Sequence, residues 1–495
     1  MDMTGKDQNG SITVFLSLLM IFLLSLFAVS LESAHMAAVK GQISLKSNTA
    51  METLFSNYER SLYEQYHLLF LDTRQNPEST LLDIMKESGS PAVLKEKGTN
   101  HLQFQVEKVE ISQMVGLLDH NGEAFQTEVK QIAGSEMVSA FWNRISGKLE
   151  KLKRDQSSSG EINQMLEKDQ IPEETDQDKQ DELEASDEHR KVSEEEKRKA
   201  ISIVSLIKTV KKWITEGFFS LIVDNSDEIS TRVVDNSNMP SDRTPEKNEI
   251  TGNILEHAVD CTVDAVTMNW YLSRYLNCYT DQGTYDLEYV IGNRKTDSEN
   301  LKTVVNQLVL LRQILNLSYL AGDEAKKAEA ELAATAVLSV MGIPAAGKVG
   351  EYFILAAWAY AEAVSDVRSL MRGGKIEFIK NQANWKLSLE QAVDYSNWVG
   401  SQLETEAEET GMEYKEYLMI LMFFRSHQRN MYRGLDMIQW NLMQTDPAFR
   451  IANCIYGMKA DFYLHSDPIF LSGSVLSDTG KLACHLEHQE YYAYE

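Results

Sequence analysis

Residues 12–31, ITVFLSLLMIFLLSLFAVSL, carry no charged side chain. At about 1.5 Å rise per residue, a helix of this length spans ~30 Å, the thickness of a bilayer's hydrocarbon core. Lys6 and Asp7 precede the run and Glu32 closes it. A cleaved signal peptide has a shorter apolar core, about 7–15 residues, and a small-x-small exit. Glu32-Ser33-Ala34 does not supply that exit. The run therefore reads as an uncleaved transmembrane anchor, with residues 1–11 as a short tail before it. Flanking charge gives no clear orientation, because Lys6 stands before the run and Lys40 and Lys46 after it.

The rest of the 495-residue chain is long enough for one large domain or two to three ordinary ones. Hydrophobic content of 43% provides a core. A net charge of -26 repels phosphate backbones and argues against a nucleic-acid partner. Only 8 prolines interrupt long periodic apolar patterns, which points to helices. The cysteines are Cys261, Cys278, Cys454 and Cys484. Cys261 and Cys278 fall in one expected helix, about 25 Å apart along it, too far for a disulfide. Pairing of Cys454 with Cys484 is left open.

Outward from the anchor, Met51, Leu54, Phe55, Tyr58, Leu62, Tyr66 and Leu69 form one stripe at helical spacing, and predict a helix from Glu32 to Leu71. Leu102, Phe104 and Val106 alternate as in a strand, continued by Val109 and Ile111 after a bulge. A second stripe from Phe125 to Leu152 predicts a helix bent at Gly134. Residues 155–199 are almost free of apolar side chains and read as a disordered acidic linker or insertion. Within them, 194–199 contains good helix formers. Further helices are predicted at 254–279, 298–319, 323–341, 351–371, 387–404 and 414–443. Tyr285 to Ile291 reads as a strand, and residues after Ile451 as short strands. The expected segments are thus a tail 1–11, an anchor 12–31, a stalk and head part 32–154, a linker 155–199 and a main body 200–495. The fold class is mainly α with a minor antiparallel β component.

Asn9-Gly10-Ser11 before the span, Glu32 at its exit and the Ala-rich helix behind it resemble the N-terminus of TadE/TadG-type proteins. These are single-span, pseudopilin-like proteins of Tad (tight adherence) pilus systems. Pilin-like sequences place a glutamate five residues after the glycine, where this chain has Phe15. The resemblance implies a cytoplasmic tail, an extracytoplasmic body, and other envelope or pilus-assembly proteins as partners. A longer resemblance is to a bacterial domain-of-unknown-function family of single-span surface proteins. It rests on Tyr63-Glu64-Gln65-Tyr66-His67-Leu68, Leu117 to Gly122, Leu287-Glu288-Tyr289-Val290-Ile291-Gly292, Trp358 to Glu362 with Asp366-Val367-Arg368, Glu416-Tyr417-Leu418, and Leu435 to Gln439. It implies a location at the cell surface and no assigned activity.

Four stretches invite a chemical reading. Gly342-Ile343-Pro344-Ala345-Ala346-Gly347-Lys348-Val349 nearly spells a phosphate-binding loop, but Val349 stands where a magnesium-holding hydroxyl belongs and the preceding residues read as helix. Residues 332–347 and 352–361 are apolar, yet each is too short and alanine-rich to span a membrane, and they read as core helices. Glu362 and Asp366 lie one helical turn apart near Trp358, with Arg368 and Arg372 beyond. Such carboxylates serve acid–base chemistry or, more often, an ion-pair network. Cys484-His485-Leu486-Glu487-His488 carries metal-type side chains without the spacing of a zinc motif. No residue is assigned as catalytic, cofactor-binding or metal-binding, and no cofactor is expected. The expected function is a membrane-anchored structural or interaction protein of the envelope. The rivals are an anchored ligand-binding or sensor protein, and an envelope hydrolase using Glu362 with Asp366 or the terminal histidines.

Overall fold

The computed structural model describes residues 7–89, 104–134, 136–148, 150–151, 194–217, 219–223, 229–235, 237–243, 262–281, 284–341, 347–397, 411–466 and 484–494. Leu102, Cys261, residues 342–346 and most of the expected acidic linker lie outside them. The described residues are mainly helical with one four-stranded antiparallel sheet, as expected. They form two compact units. One combines Met1–Glu128 with Asp446–Glu495, and the other is Val129–Thr445. The C-terminal strands, read from sequence as part of the body 200–495, thus fold with the N-terminal segment.

In the first unit, helix α1 (Asp7–Phe55) runs without a break for 49 residues, ~73 Å. It is long and apolar enough to cross a membrane. Its large side chains from Ile12 to Leu31 are exposed. At Glu32 its character changes. Glu32, His35, Val39, Ile43, Ser47, Ala50, Met51, Leu54 and Phe55 are buried at helical spacing. The apolar members of that stripe join one core with Met458, Ala460, Phe462 and Leu464 of the sheet. The helix expected to reach Leu71 stops at Phe55. Glu59 starts a new one, α2 (Arg60–Tyr66), by accepting a hydrogen bond from the Ser61 backbone. Both helices bury the same kind of side chain, so the apolar period runs across the turn unmarked.

Strand β1 (Leu71–Asp72) is followed by helix α3 (Pro77–Gly89). Pro77 opens α3, where its missing N–H is not needed, and Asn76 accepts from the Glu78 backbone at 3.1 Å. Strand β2 (Gln105–Gly116) carries register shifts between Val106 and Lys108 and between Ile111 and Gln113, so the expected bulged strand is present. Helix α4 (Glu123–Ala133) ends at Gly134, whose φ of +58° fits a residue without a side chain, and helix resumes at residue 136. This is the bend expected there.

Strand β3 (Cys454–Ser466) is the middle of the sheet. It pairs with β2 on one side, and on the other with β4 (Cys484–Ala493) and the short β1. The register answers the question of the C-terminal cysteines. Cys454 pairs with Asp72, while Cys484 pairs with Ser466 at the far end of β3, ~40 Å away. A disulfide requires about 4–7 Å between Cα atoms, so these two do not bridge. Cys454 is a buried free thiol.

The second unit is helical. Helix α5 (Glu194–Glu216) begins within the last residues of the acidic stretch, at the run of good helix formers. Helix α6 (Val263–Tyr275) is capped by Thr262, which accepts from Ala265 at 3.2 Å, and is shorter than the expected 254–279. Cys278 lies beyond its end, so the helical spacing assumed between Cys261 and Cys278 does not apply. The expected strand Tyr285–Ile291 is instead helix α7 (Asp286–Gly292), closed by Asn293 in the left-handed region. Its Tyr, Val and Ile favour strands in isolation, but burial from Asp286 to Ile291 decides the conformation.

Helices α8 (Asp297–Gly322), α9 (Glu324–Met341) and α10 (Gly347–Met371) follow as expected. Helix α11 (Leu389–Asn397) covers the described part of the next one. The single helix expected at 414–443 is two, α12 (Tyr414–Met422) and α13 (His427–Met443). The Asn430 side chain reaches back to donate to the Met422 carbonyl at 2.9 Å, which caps α12 across the turn. Gly434 lets α13 approach α6, because a Cβ there would lie 2.3 Å from Leu272 Cδ2. Residues Ile354 to Val367 of α10 are buried, so the stretch 352–361 is a core helix from Ile354 onward, with Tyr352 exposed; the other expected core stretch, from Leu332 in α9, is instead largely half-exposed, Leu332 itself being 73% exposed.

Candidate functional site

The strongest concentration of ionisable groups lies between α8 and α10. A helix buried on all sides must compensate any charge it carries, and both helices carry charge at their centres. Arg312 stands in the mostly apolar run Leu308 to Leu317 of α8, and Glu362 and Asp366 lie one turn apart on α10. All three side chains are buried, as is Lys380 in the irregular segment after α10. Gly373, with φ +84°, turns the chain out of α10 toward that segment, and Gly374 donates to the Ser369 carbonyl at 2.9 Å.

Asp366 Oδ2 accepts from Arg312 Nε at 3.0 Å, Arg312 Nη2 at 2.8 Å and Asn316 Nδ2 at 3.2 Å. Its Oδ1 lies 2.9 Å from Lys380 Nζ. Lys380 Nζ also donates to Glu362 Oε1 at 2.7 Å. Backbone N–H groups complete Glu362, Lys386 donating to Oε1 at 3.0 Å and Leu387 to Oε2 at 2.9 Å. Arg312 Nη1 donates to the Glu377 and Phe378 carbonyls and to the Tyr417 hydroxyl. Two cations thus face two carboxylates. Burial works against the charge of Lys380, but Asp366 and Glu362 hold its pKa above the ordinary value. Burial likewise works against Asp366, but Arg312 and Lys380 hold its carboxyl below the usual range. Burial raises Glu362, and Lys380 offsets this in part. No side chain of the four reaches solvent, so the network cross-links the core and presents no face to a substrate.

The sequence paired Glu362 with Asp366 correctly. It missed Arg312 and Lys380. An arginine inside a mostly apolar run was the available signal for Arg312; Lys380, in an irregular segment, left none. Arg368 and Arg372 do not join the network.

Three further polar clusters tie the same unit together. Arg232 grips Asp297 at 2.9–3.0 Å and Asp286 at 3.1 Å, with its guanidinium 4.7 Å from the Trp440 ring centre. Glu288 Oε1 accepts from the Tyr279 backbone and the Tyr414 hydroxyl, each at 2.8 Å. Asp436 accepts from the Ser241 backbone and the Tyr289 hydroxyl, each at 2.8 Å. The last two carboxyls have no cation bonded to them, and burial pushes them up to about 8 and about 6.

The remaining sequence candidates are dispersed. Residues up to Met341 are helical rather than strand, which is not the setting of a phosphate-binding loop. On β4, His485 faces His465 across the pair with its Nδ1 3.7 Å from Glu107, while His488 Nε2 lies 2.9 Å from Glu490. Among the described residues no group of three or more His, Cys, Asp or Glu is placed to hold a metal.

No curated protein and no solved structure matches the chain. The motifs that carried the longer family resemblance from Leu287 onward supply Glu288, Tyr289, Glu362, Asp366, Tyr417 and Asp436, the residues of the buried clusters. The sequence pattern described as "Family of unknown function (DUF5702)" matches residues 193–466, more than half of the chain, and the chain belongs to that family.

Proposed function

We propose that the protein is a membrane-anchored structural or interaction component of the cell envelope, with the bulk of the chain outside the cytoplasm and a place beside a Tad-type pilus. The observation that carries this reading is the change of character along α1. Fifteen exposed large apolar side chains within residues 12–31 lead, with no break in the helix, into a stripe buried against the sheet. A flexible linker would let a head diffuse on a tether. A continuous helix instead fixes the first unit against the bilayer surface, which suits a part that is assembled through its span. The Gly10-Ser11 start and Glu32 at the span's exit support the pilus association by resemblance alone.

Two steps test the reading. The chain should stay with membranes after alkaline carbonate washing, with peptides from near Met1 still attached. Co-purification from mild detergent should then recover pilus-assembly proteins with the wild-type chain, and lose them when residues 12–31 are replaced by an unrelated apolar span. Release of the chain by carbonate would overturn the anchoring. Equal recovery with the foreign span would overturn assembly through the span.

A further inference from the structure

We infer that Tyr319, Trp358 and Trp385 form an aromatic cage for a quaternary ammonium group, and that the Lys326 side chain occupies it in the unliganded protein. All four residues belong to the second unit. Tyr319 lies in the last turn of α8, Lys326 in the first turn of α9, Trp358 within α10, and Trp385 in the irregular segment after it. The two indole rings meet edge to face at 5.9 Å, and the Tyr319 ring lies 5.1 Å from that of Trp385. Both indole N–H groups donate to one acceptor, the Leu387 carbonyl. That shared partner fixes both ring planes before any ligand arrives. Tyr319 is fixed by its hydroxyl, which donates to Asp323 Oδ2 at 2.9 Å.

Lys326 Nζ lies 4.6 Å from the centre of the Trp358 ring and 5.0 Å from that of Trp385. A lysine ammonium carries three N–H donors and is strongly hydrated. Among the described residues this one makes no hydrogen bond or ion pair to protein, and ring faces alone hold it. A site that holds a cation in this way suits a nitrogen with no N–H to donate. The spacing fits as well. A methyl group adds about 1.5 Å to the nitrogen and touches ring carbon at about 3.5 Å, so a trimethylated nitrogen rests about 5 Å from a ring. Asp323 stands at the edge of the cage. Bonds from the Lys326 backbone and the Tyr319 hydroxyl hold its carboxyl below the usual range, so it stays charged and adds to the attraction for a cation. Trp358 is fully buried, while Tyr319, Lys326 and Trp385 are half-exposed, which opens the cage to solvent when the lysine swings out. Two cations repel at this range, so ligand and lysine exchange rather than share the site.

The probe is choline, added to the full chain in a maltoside detergent that carries no quaternary nitrogen. Saturation-transfer NMR on the choline methyl protons reads the affinity. Wild type should bind choline against the competition of its own lysine. Lys326→Ala, at a half-exposed position, should bind it at least about tenfold more tightly. Trp385→Leu in the Lys326→Ala background should remove the binding. Dimethylbutanol, the uncharged carbon isostere of choline, should bind Lys326→Ala at least about tenfold more weakly than choline, which keeps the test decisive if the tryptophan variant fails to fold. Micelles doped with phosphatidylcholine or with phosphatidylglycerol separate the two sources of the group. Loss of the choline signal with the first dopant alone would assign it to a lipid headgroup, and an unchanged signal to a soluble ligand. No binding by Lys326→Ala, equal affinity in variant and wild type, or equal binding of the isostere would overturn the cage, and so would binding retained in folded Trp385→Leu. The carbonate and co-purification measurements above do not involve these residues, so the two readings fail separately.

Discussion

The Tyr494 hydroxyl donates to the backbone carbonyl of Phe55 at 2.7 Å, joining residues 439 apart in sequence. Phe55 is the last residue of α1, and the final carbonyls of a helix have no partner within it. The end of α1 is therefore fastened by the residue that follows β4. The two rings also meet edge to face at 5.2 Å. Tyr494→Phe keeps the ring and leaves a buried carbonyl unpaired, which should cost about 1–2 kcal/mol. Phe55→Ala, which empties a core position, should cost about 3–5 kcal/mol. Urea unfolding followed by circular dichroism gives both numbers, and the expected order is Phe55→Ala the larger.

Asp366→Asn keeps the shape of the side chain and removes its charge. Arg312 and Lys380 would then face one carboxylate in a site closed to water, at a cost of about 3–5 kcal/mol. Lys302→Gln, at an exposed position of α8, should change stability by less than about 0.5 kcal/mol. Denaturant midpoints of the two variants would contradict this if they coincide.

The regular parts of the fold were legible wherever one physical cause acted alone. Residues 12–31 are apolar on every side, and only a bilayer or a deep core explains that. Helices α8 and α10 carry long periodic patterns, and Gly134 marks its own bend. Reading failed where tertiary packing overrode a local signal. The stripe Phe55-Tyr58-Leu62-Tyr66 keeps helical period across the break after Phe55, and Tyr417-Leu421-Phe424-Met431 keeps it across the break at Arg425. Helix α7 looks like a strand because its branched and aromatic residues are set by burial rather than by propensity. Of the ionic network, the pair one turn apart on α10 was readable. Arg312 and Lys380 come from elsewhere in the chain, and only the fold brings them together.

The buried carboxyls predict a pH dependence. Burial raises Glu288 from 4.5 to about 8 and Asp436 from 3.8 to about 6. The folded chain therefore holds protons that the unfolded chain releases. Stability from Glu288 is full below pH ~4.5 and declines as pH rises to about 8. That from Asp436 declines between about 3.8 and about 6. Glu288→Gln removes the larger of these and should flatten the profile, making the variant more stable than wild type at pH 8. Urea midpoints at pH 5 and pH 8 check this, and wild-type stability that rises over that interval with no effect of the substitution would contradict it.

Among the described residues, the buried thiols of Cys278 and Cys454 should be silent in the folded protein. Burial, with Glu288 and Asp281 nearby, pushes Cys278 up to about 12, and burial raises Cys454 well above the ordinary range. The thiolate is the reactive form. Maleimide should leave both unmodified in native protein and modify both in urea, as read by peptide mass spectrometry. Recovery of a Cys454–Cys484 crosslinked peptide would contradict the strand register.

The central claim is that residues 12–31 cross a membrane and that the helix continues outside it. Leu45→Cys places a thiol on an exposed position of α1, 14 residues past the apolar run. Thr4→Cys places one before the run. Each is made in a chain whose native cysteines are serine, and labelled with a membrane-impermeant maleimide in intact, wall-stripped cells. The account predicts that Leu45→Cys is labelled in intact cells, and that Thr4→Cys is labelled only after lysis. Labelling of Thr4→Cys alone in intact cells would contradict the orientation, and labelling of both alike would contradict the span itself.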